Sequence, residues 1–148
     1  MSTYSFNDVS ASLVGPTGSI DLGYGGEAAH AEEGITVSMN ESKNSMTIGA
    51  GGEVMHSLHA SKAGTITINL LKTSLVNKKL SLMYNAQSQS ATLWGKNLIV
   101  IRNQASGDVI TARDVAFQKQ PDNTNGSVGN TMAWVFDCGK VDQVLGTF

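Results

Sequence analysis

Charge is scarce in this chain. Only 15% of its 148 residues are Asp, Glu, Lys or Arg, against about a quarter in an average globular domain. Combined with much Ser, Thr, Asn and Gly, this implies a polar but weakly self-repulsive surface, one that tolerates large contacts between copies. The net charge of −2 and a pI near 5.8 argue against a dedicated nucleic-acid binder, which needs a basic footprint to neutralise phosphates. Cysteine is nearly absent. Cys138 stands alone, so no intramolecular disulfide can form. It sits in an apolar run and reads as a small buried hydrophobe. No apolar stretch approaches bilayer length. The opening MSTYSFNDVSASLVG lacks the basic and apolar regions of a signal peptide. The expectation is a chain made and kept in the cytoplasm, or released by lysis rather than by secretion.

Catalytic constellations are missing too. There is no GxxxxGK[ST] loop, no G-x-S-x-G elbow and no glycine fingerprint opening a helix. The glycines at 23–26 and 49–52 read as loops. His56 and His59 would share a helical face, but on a strand their odd separation points them apart. Only His30 could join them, and no acidic cluster completes a metal site. Glu32 and Glu33 are adjacent, which aims two strand carboxylates in opposite directions, and no apolar neighbour splits their pKa values. Trp94 and Trp134 could form a sugar platform, yet each lies among apolar residues and reads as core. No enzyme activity, cofactor or metal is expected.

What is present is mainly β-structure with one helix. In Gly64–Leu70, Ile66, Ile68 and Leu70 alternate with Thr65, Thr67 and Asn69, the period of a half-buried strand. Thr73 or Ser74 can cap a helix that follows. Val76, Leu80, Met83 and Tyr84 then share one face, with Lys78 and Lys79 off it. The helix is expected over about residues 74–86. Val9–Val14 and Ser19–Leu22 flank Gly15-Pro16-Thr17-Gly18, a hairpin turn. Residues 23–33 lack strand periodicity and read as an exposed loop. Ile35, Val37 and Met39 form a strand, Asn40–Asn44 a polar turn, and Met46 and Ile48 the returning strand of a second hairpin. Gly49–Gly52 breaks that run, and Val54–Leu58 is a further short strand. Strands follow at Asn97–Ile101, Val109–Phe117 and Met132–Leu145, the last with Trp134, Phe136 and Cys138 on one face. No linker or repeat divides the chain, so residues 1–148 read as one domain, a β-sandwich or small barrel with one flanking helix. Charge is unevenly spread. Residues 1–64 hold seven acids against two lysines (−5), and residues 65–148 hold eight bases against five acids (+3). A chain polarised in this way can stack acidic side on basic side.

Four stretches carry a resemblance to a known family: Thr3–Gly23, Glu32–Asn77, Gly107–Asp122 and Trp134–Phe148. Together they cover nearly the whole chain, which resembles the tail tube proteins of contractile-tailed bacteriophages. The resemblance implies a tail-tube-like fold in a virion structural protein. Such subunits close into hexameric rings with a continuous inner β-barrel, and the rings stack into a tube that delivers DNA. It implies as partners further copies of the chain, a tail sheath, a tape measure protein, a baseplate and a tail terminator. DNA would pass without specific binding, with no membrane contact, in a virion tail assembled in the host cytoplasm. On this reading Gly23, Tyr24, Gly25, Gly26, Glu32 and Glu33 belong to a ring-stacking loop. Asp21, Glu27, Glu41 and Glu53, together with Glu32 and Glu33, are candidate lumenal acids. Lys78 and Lys79 are expected to face the sheath. Two alternatives stand beside it: a stand-alone β-sandwich that binds a ligand such as a carbohydrate, and the tube subunit of a phage-tail-like bacteriocin.

Overall fold

The computed structural model describes residues 2–23 and 30–147. After a 3-10 turn at Phe6–Asp8, β1 (Val9–Gly15) and β2 (Gly18–Asp21) form the expected hairpin around Pro16-Thr17. Then come β3 (His30–Met39), β4 (Asn44–Ile48), β5 (Val54–Leu58) and β6 (Gly64–Leu71). The helix α1 (Val76–Gln87) precedes β7 (Asn97–Asn103), β8 (Asp108–Lys119) and β9 (Thr131–Val144). Seven strands make one antiparallel sheet in the order β2-β1-β7-β8-β9-β6-β3. Among the described residues the other two, β4 and β5, pair only with each other.

The period-two pattern decides which face of the sheet is buried. Ile66, Ile68 and Leu70 of β6 pair across to Phe136, Trp134 and Met132 of β9. The three β6 side chains and both β9 aromatics are fully or almost fully buried. Leu13, Ile99, Ala112, Val115 and Phe117 extend this core along the sheet. α1 covers it with Val76, Leu80 and Met83, while Tyr84 packs edge-on to Phe117 and Trp94. Burying a Leu or Phe of this kind stabilises by about 1.5–3 kcal/mol.

Three expectations need correction. Strand β3 begins at His30, inside the segment read as a loop, so Glu32 and Glu33 lie on a strand. Its periodicity is hidden because the register to β6 slips between His30 and Ile35, where Gly34 takes a positive φ of 62°. That conformation is easy for glycine and costly for other residues. Second, Met46 and Ile48 do not return along β3. Gly49–Gly52 is the tip of the β4–β5 hairpin rather than a break, and β3 pairs with β6 instead. Third, α1 runs over Val76–Gln87 rather than 74–86. Ser74 still serves its first turn, accepting from the Val76 amide at 3.3 Å. The helix ends on Gln87, which is fully buried and exchanges two hydrogen bonds with Asn97, 2.7 and 2.8 Å long. Gly15 lies so close that a Cβ there would collide with the Asn97 amide.

Candidate assembly interface

The β4–β5 hairpin is an amphipathic ribbon whose apolar side is left uncovered among the described residues. Register places Asn44, Met46 and Ile48 opposite Leu58, His56 and Val54, all six on one face. Of these, Met46, Ile48, Val54 and Leu58 are exposed, Leu58 by 82%. Asn44 and His56 share a 3.2 Å contact in the middle of that face. The other face carries Ser45, Thr47, Met55 and Ser57. At the base, the segment leading into β6 is tied to the main sheet. The Val141 amide donates to the Lys62 carbonyl at 2.9 Å, and the Asn40 amide to the Ala63 carbonyl at 3.1 Å. The ribbon is thus anchored at its root and uncovered beyond it.

The sheet face away from the core is a second surface. It carries Ser10 and Ser12 on β1, Thr36 and Ser38 on β3, and Thr65, Thr67 and Asn69 on β6, all part-exposed or exposed. Charge on this face clusters on β8 and β9. Asp142 meets Lys62 at 3.2 Å and Arg113 at 3.0 Å. The Lys62 hydrogen bond, helped by nearby Lys140 and Arg113, holds its carboxyl below the usual carboxylate range. Just beyond this cluster, Asp114 has φ of 53° and β8 carries a bulge against β7, while its register to β9 runs unbroken there; on both β8 and β9 the inward residues therefore skip a step together, from Ala112 to Val115 and from Cys138 to Val141. The two ends of the sheet are a third surface. Among the described residues, β2 and β3 each have a single neighbour, so each presents one open edge.

The sequence-derived site residues fall on separate elements. Asp21 ends β2, is exposed and accepts from the Gly23 amide at 3.0 Å. Glu41 lies at the root of the ribbon and Glu53 at its tip, both exposed. Tyr24, Gly25, Gly26 and Glu27 lie outside the described residues. Lys78 and Lys79 are on the solvent side of α1. Trp134 is 1% exposed and donates to Asn77 Oδ1 at 2.9 Å, so it offers no sugar platform. Burial pushes the Cys138 thiol up to about 11, which leaves it protonated and unreactive at neutral pH. Among the described residues no group of three His, Cys, Asp or Glu is placed to hold a metal. The ribbon was legible only as strand periodicity. Its isolation from the sheet has no local signal, because it follows from β3 choosing β6.

Among the described residues no helix is long and apolar enough to cross a membrane. Among solved structures, the fold is similar to the tube-terminating cap of the anti-feeding prophage, determined by cryo-electron microscopy. The TM-score is 0.58 at 8% identity, covering 99% of this chain and 93% of that one. No curated protein matches the sequence. A family described as the bacteriophage PhiTE tail tube protein matches residues 1–146. The chain therefore belongs to that family of phage tail structural proteins.

Proposed function

We propose that this chain is the repeating subunit of the inner tail tube, closing into six-membered rings that stack into a conduit for phage DNA. The uncovered β4–β5 ribbon carries the proposal. A lone two-stranded ribbon is marginal in water, and this one leaves four large apolar side chains on a single exposed face. Membership of a tail tube family favours a second copy as the cover that completes it. Such a contact joins unlike surfaces, and repetition along an axis builds a tube. The open edges of β2 and β3 would pair between neighbours within a ring, which also removes the aggregation risk of bare edges. The polar sheet face then lines the lumen. The helix, packed on the opposite face, turns Lys78 and Lys79 outward towards a sheath. Asp21 and Glu41 remain candidates for the lumen, whereas Glu53, at the ribbon tip, belongs to the contact between rings. Tape measure, baseplate and terminator proteins are the other partners this role requires, in a tail assembled in the host cytoplasm.

The likeness to a tube-terminating cap supports a second reading, a ring that closes a tube and does not propagate it. Negative-stain electron microscopy at rising concentration separates the two. Stacked tubes support the first reading, and single rings that never stack support the second. A variant with Met46, Ile48, Val54 and Leu58 changed to Ser should remain folded and lose stacking. Tubes of normal length from that variant would sink the role given to the ribbon.

A further inference from the structure

The loop joining β8 to β9, PDNTNGSVGN over Pro121–Asn130, contains the sole Asn-Gly pair in the sequence, Asn125-Gly126. Every residue from Asp122 to Asn130 is exposed. Neither Asn125 nor Gly126 belongs to a strand or helix. The space where a Gly126 Cβ would stand is open, its nearest neighbour being the Val128 carbonyl oxygen at 3.9 Å. Lys72, just past the end of β6, reaches across to this loop. Its Nζ donates to the Thr124 carbonyl at 2.6 Å and to Asn125 Oδ1 at 2.5 Å. We infer that Asn125 is a self-modification site, at which the chain converts its own amide to a carboxylate with assistance from Lys72.

The chemistry needs only water. The Gly126 backbone nitrogen gives its proton to solvent and attacks Asn125 Cγ, forming a new C–N bond. Charge develops on Oδ1, the atom the Lys72 ammonium already contacts, and a cation there stabilises it. Nδ2 takes a proton and leaves as ammonia, closing a five-membered imide. One water then opens either imide carbonyl, giving aspartate or isoaspartate. Glycine at 126 matters because any Cβ would crowd the attack and narrow the backbone conformations that permit it. The product carboxylate lies beside Lys72, so each converted chain gains one negative charge and an ion pair at the loop. The competing Asn44-Ser45 pair is held inside the β4–β5 ladder, with its side-chain amide engaged by His56.

The test is to age the purified full chain at mildly alkaline pH. The tryptic peptide Gln120–Lys140 is then mapped for the mass change of an amide-to-acid exchange and for labelling by an isoaspartyl methyltransferase. Conversion should concentrate at Asn125. It should be lost in Asn125→Gln and about tenfold slower in Gly126→Ala, where the added Cβ hinders attack. It should be severalfold slower in Lys72→Met, and thermal melts would confirm that all three variants fold. No conversion at Asn125, over a period in which urea-unfolded chain converts there, would overturn the site. Conversion in Lys72→Met as fast as in the parent, or faster, would overturn the part given to Lys72.

Discussion

Asp114 shows how a single residue sets the shape of the sheet. Its φ of 53° is in the left-handed region, where Asp is tolerated and branched side chains are not. Asp114→Val should cost about 1–2 kcal/mol in urea unfolding, while Asp114→Gly should be neutral or stabilising. The Gln87–Asn97 pair makes a different kind of demand. Each amide is buried and served by the other. Asn97→Leu would leave Gln87 short of its partner, at an expected cost of about 1–3 kcal/mol. Asp142 supplies a pH dependence whose sign follows from its lowered folded pKa. Its ionised form is favoured by folding, so this contribution is present above the unfolded aspartate pKa and is lost as pH falls through the folded value. Lys62→Met should move the Asp142 titration upward, measurable by carboxyl NMR. An unmoved titration would show that Lys62 is not the main cause.

At the scale of elements, the chain divides into parts that complete themselves and one that does not. Helix α1 buries Val76, Leu80 and Met83 against the sheet, so its apolar stripe is used up within the subunit. The β4–β5 ribbon has an equally clear alternation and, among the described residues, no such cover. Its stability as an ordered element therefore depends on what it meets. Hydrogen exchange should find its amides fast in the monomer and protected in tubes, with β6, β8 and β9 protected in both. Equal protection of the ribbon in monomer and tube would count against its role in stacking.

For the whole molecule, the relevant quantities are charge distribution and open edges. The acidic N-terminal part and basic C-terminal part are interleaved in space, because β6, β8 and β9 stand between β1 and β3 in the sheet. A simple acidic end and basic end do not arise from that topology. The Lys62–Asp142–Arg113 cluster runs against the overall polarity, since the acidic part supplies the base Lys62 and the basic part supplies the acid Asp142. Among the proposed lumenal acids, Asp21→Lys is expected to slow DNA release from assembled particles without preventing tube formation. Unchanged release kinetics would remove Asp21 from the lumen.

Much of this was legible in the sequence because strand alternation and helix periodicity are local. Ile66, Ile68 and Leu70, the hairpin at Pro16-Thr17, the buried Trp134, Phe136 and Cys138, and the apolar face of α1 follow from side-chain spacing and a drive to bury apolar surface. The low charge and the absence of catalytic motifs already pointed to a structural protein. Only the tertiary structure decided which strand pairs with which. Pairing is non-local, and nothing in Ile35–Ile48 says that β3 should take β6 and leave β4 to β5. The same holds for the start of β3 at His30, masked by the slip at Gly34, and for the extra residue that β8 carries against β7 at Asp114. A bulge costs one residue of register and leaves almost no mark on composition. The ribbon, the feature that most favours assembly, is thus made of ordinary strand residues, exposed by a pairing choice made elsewhere in the chain.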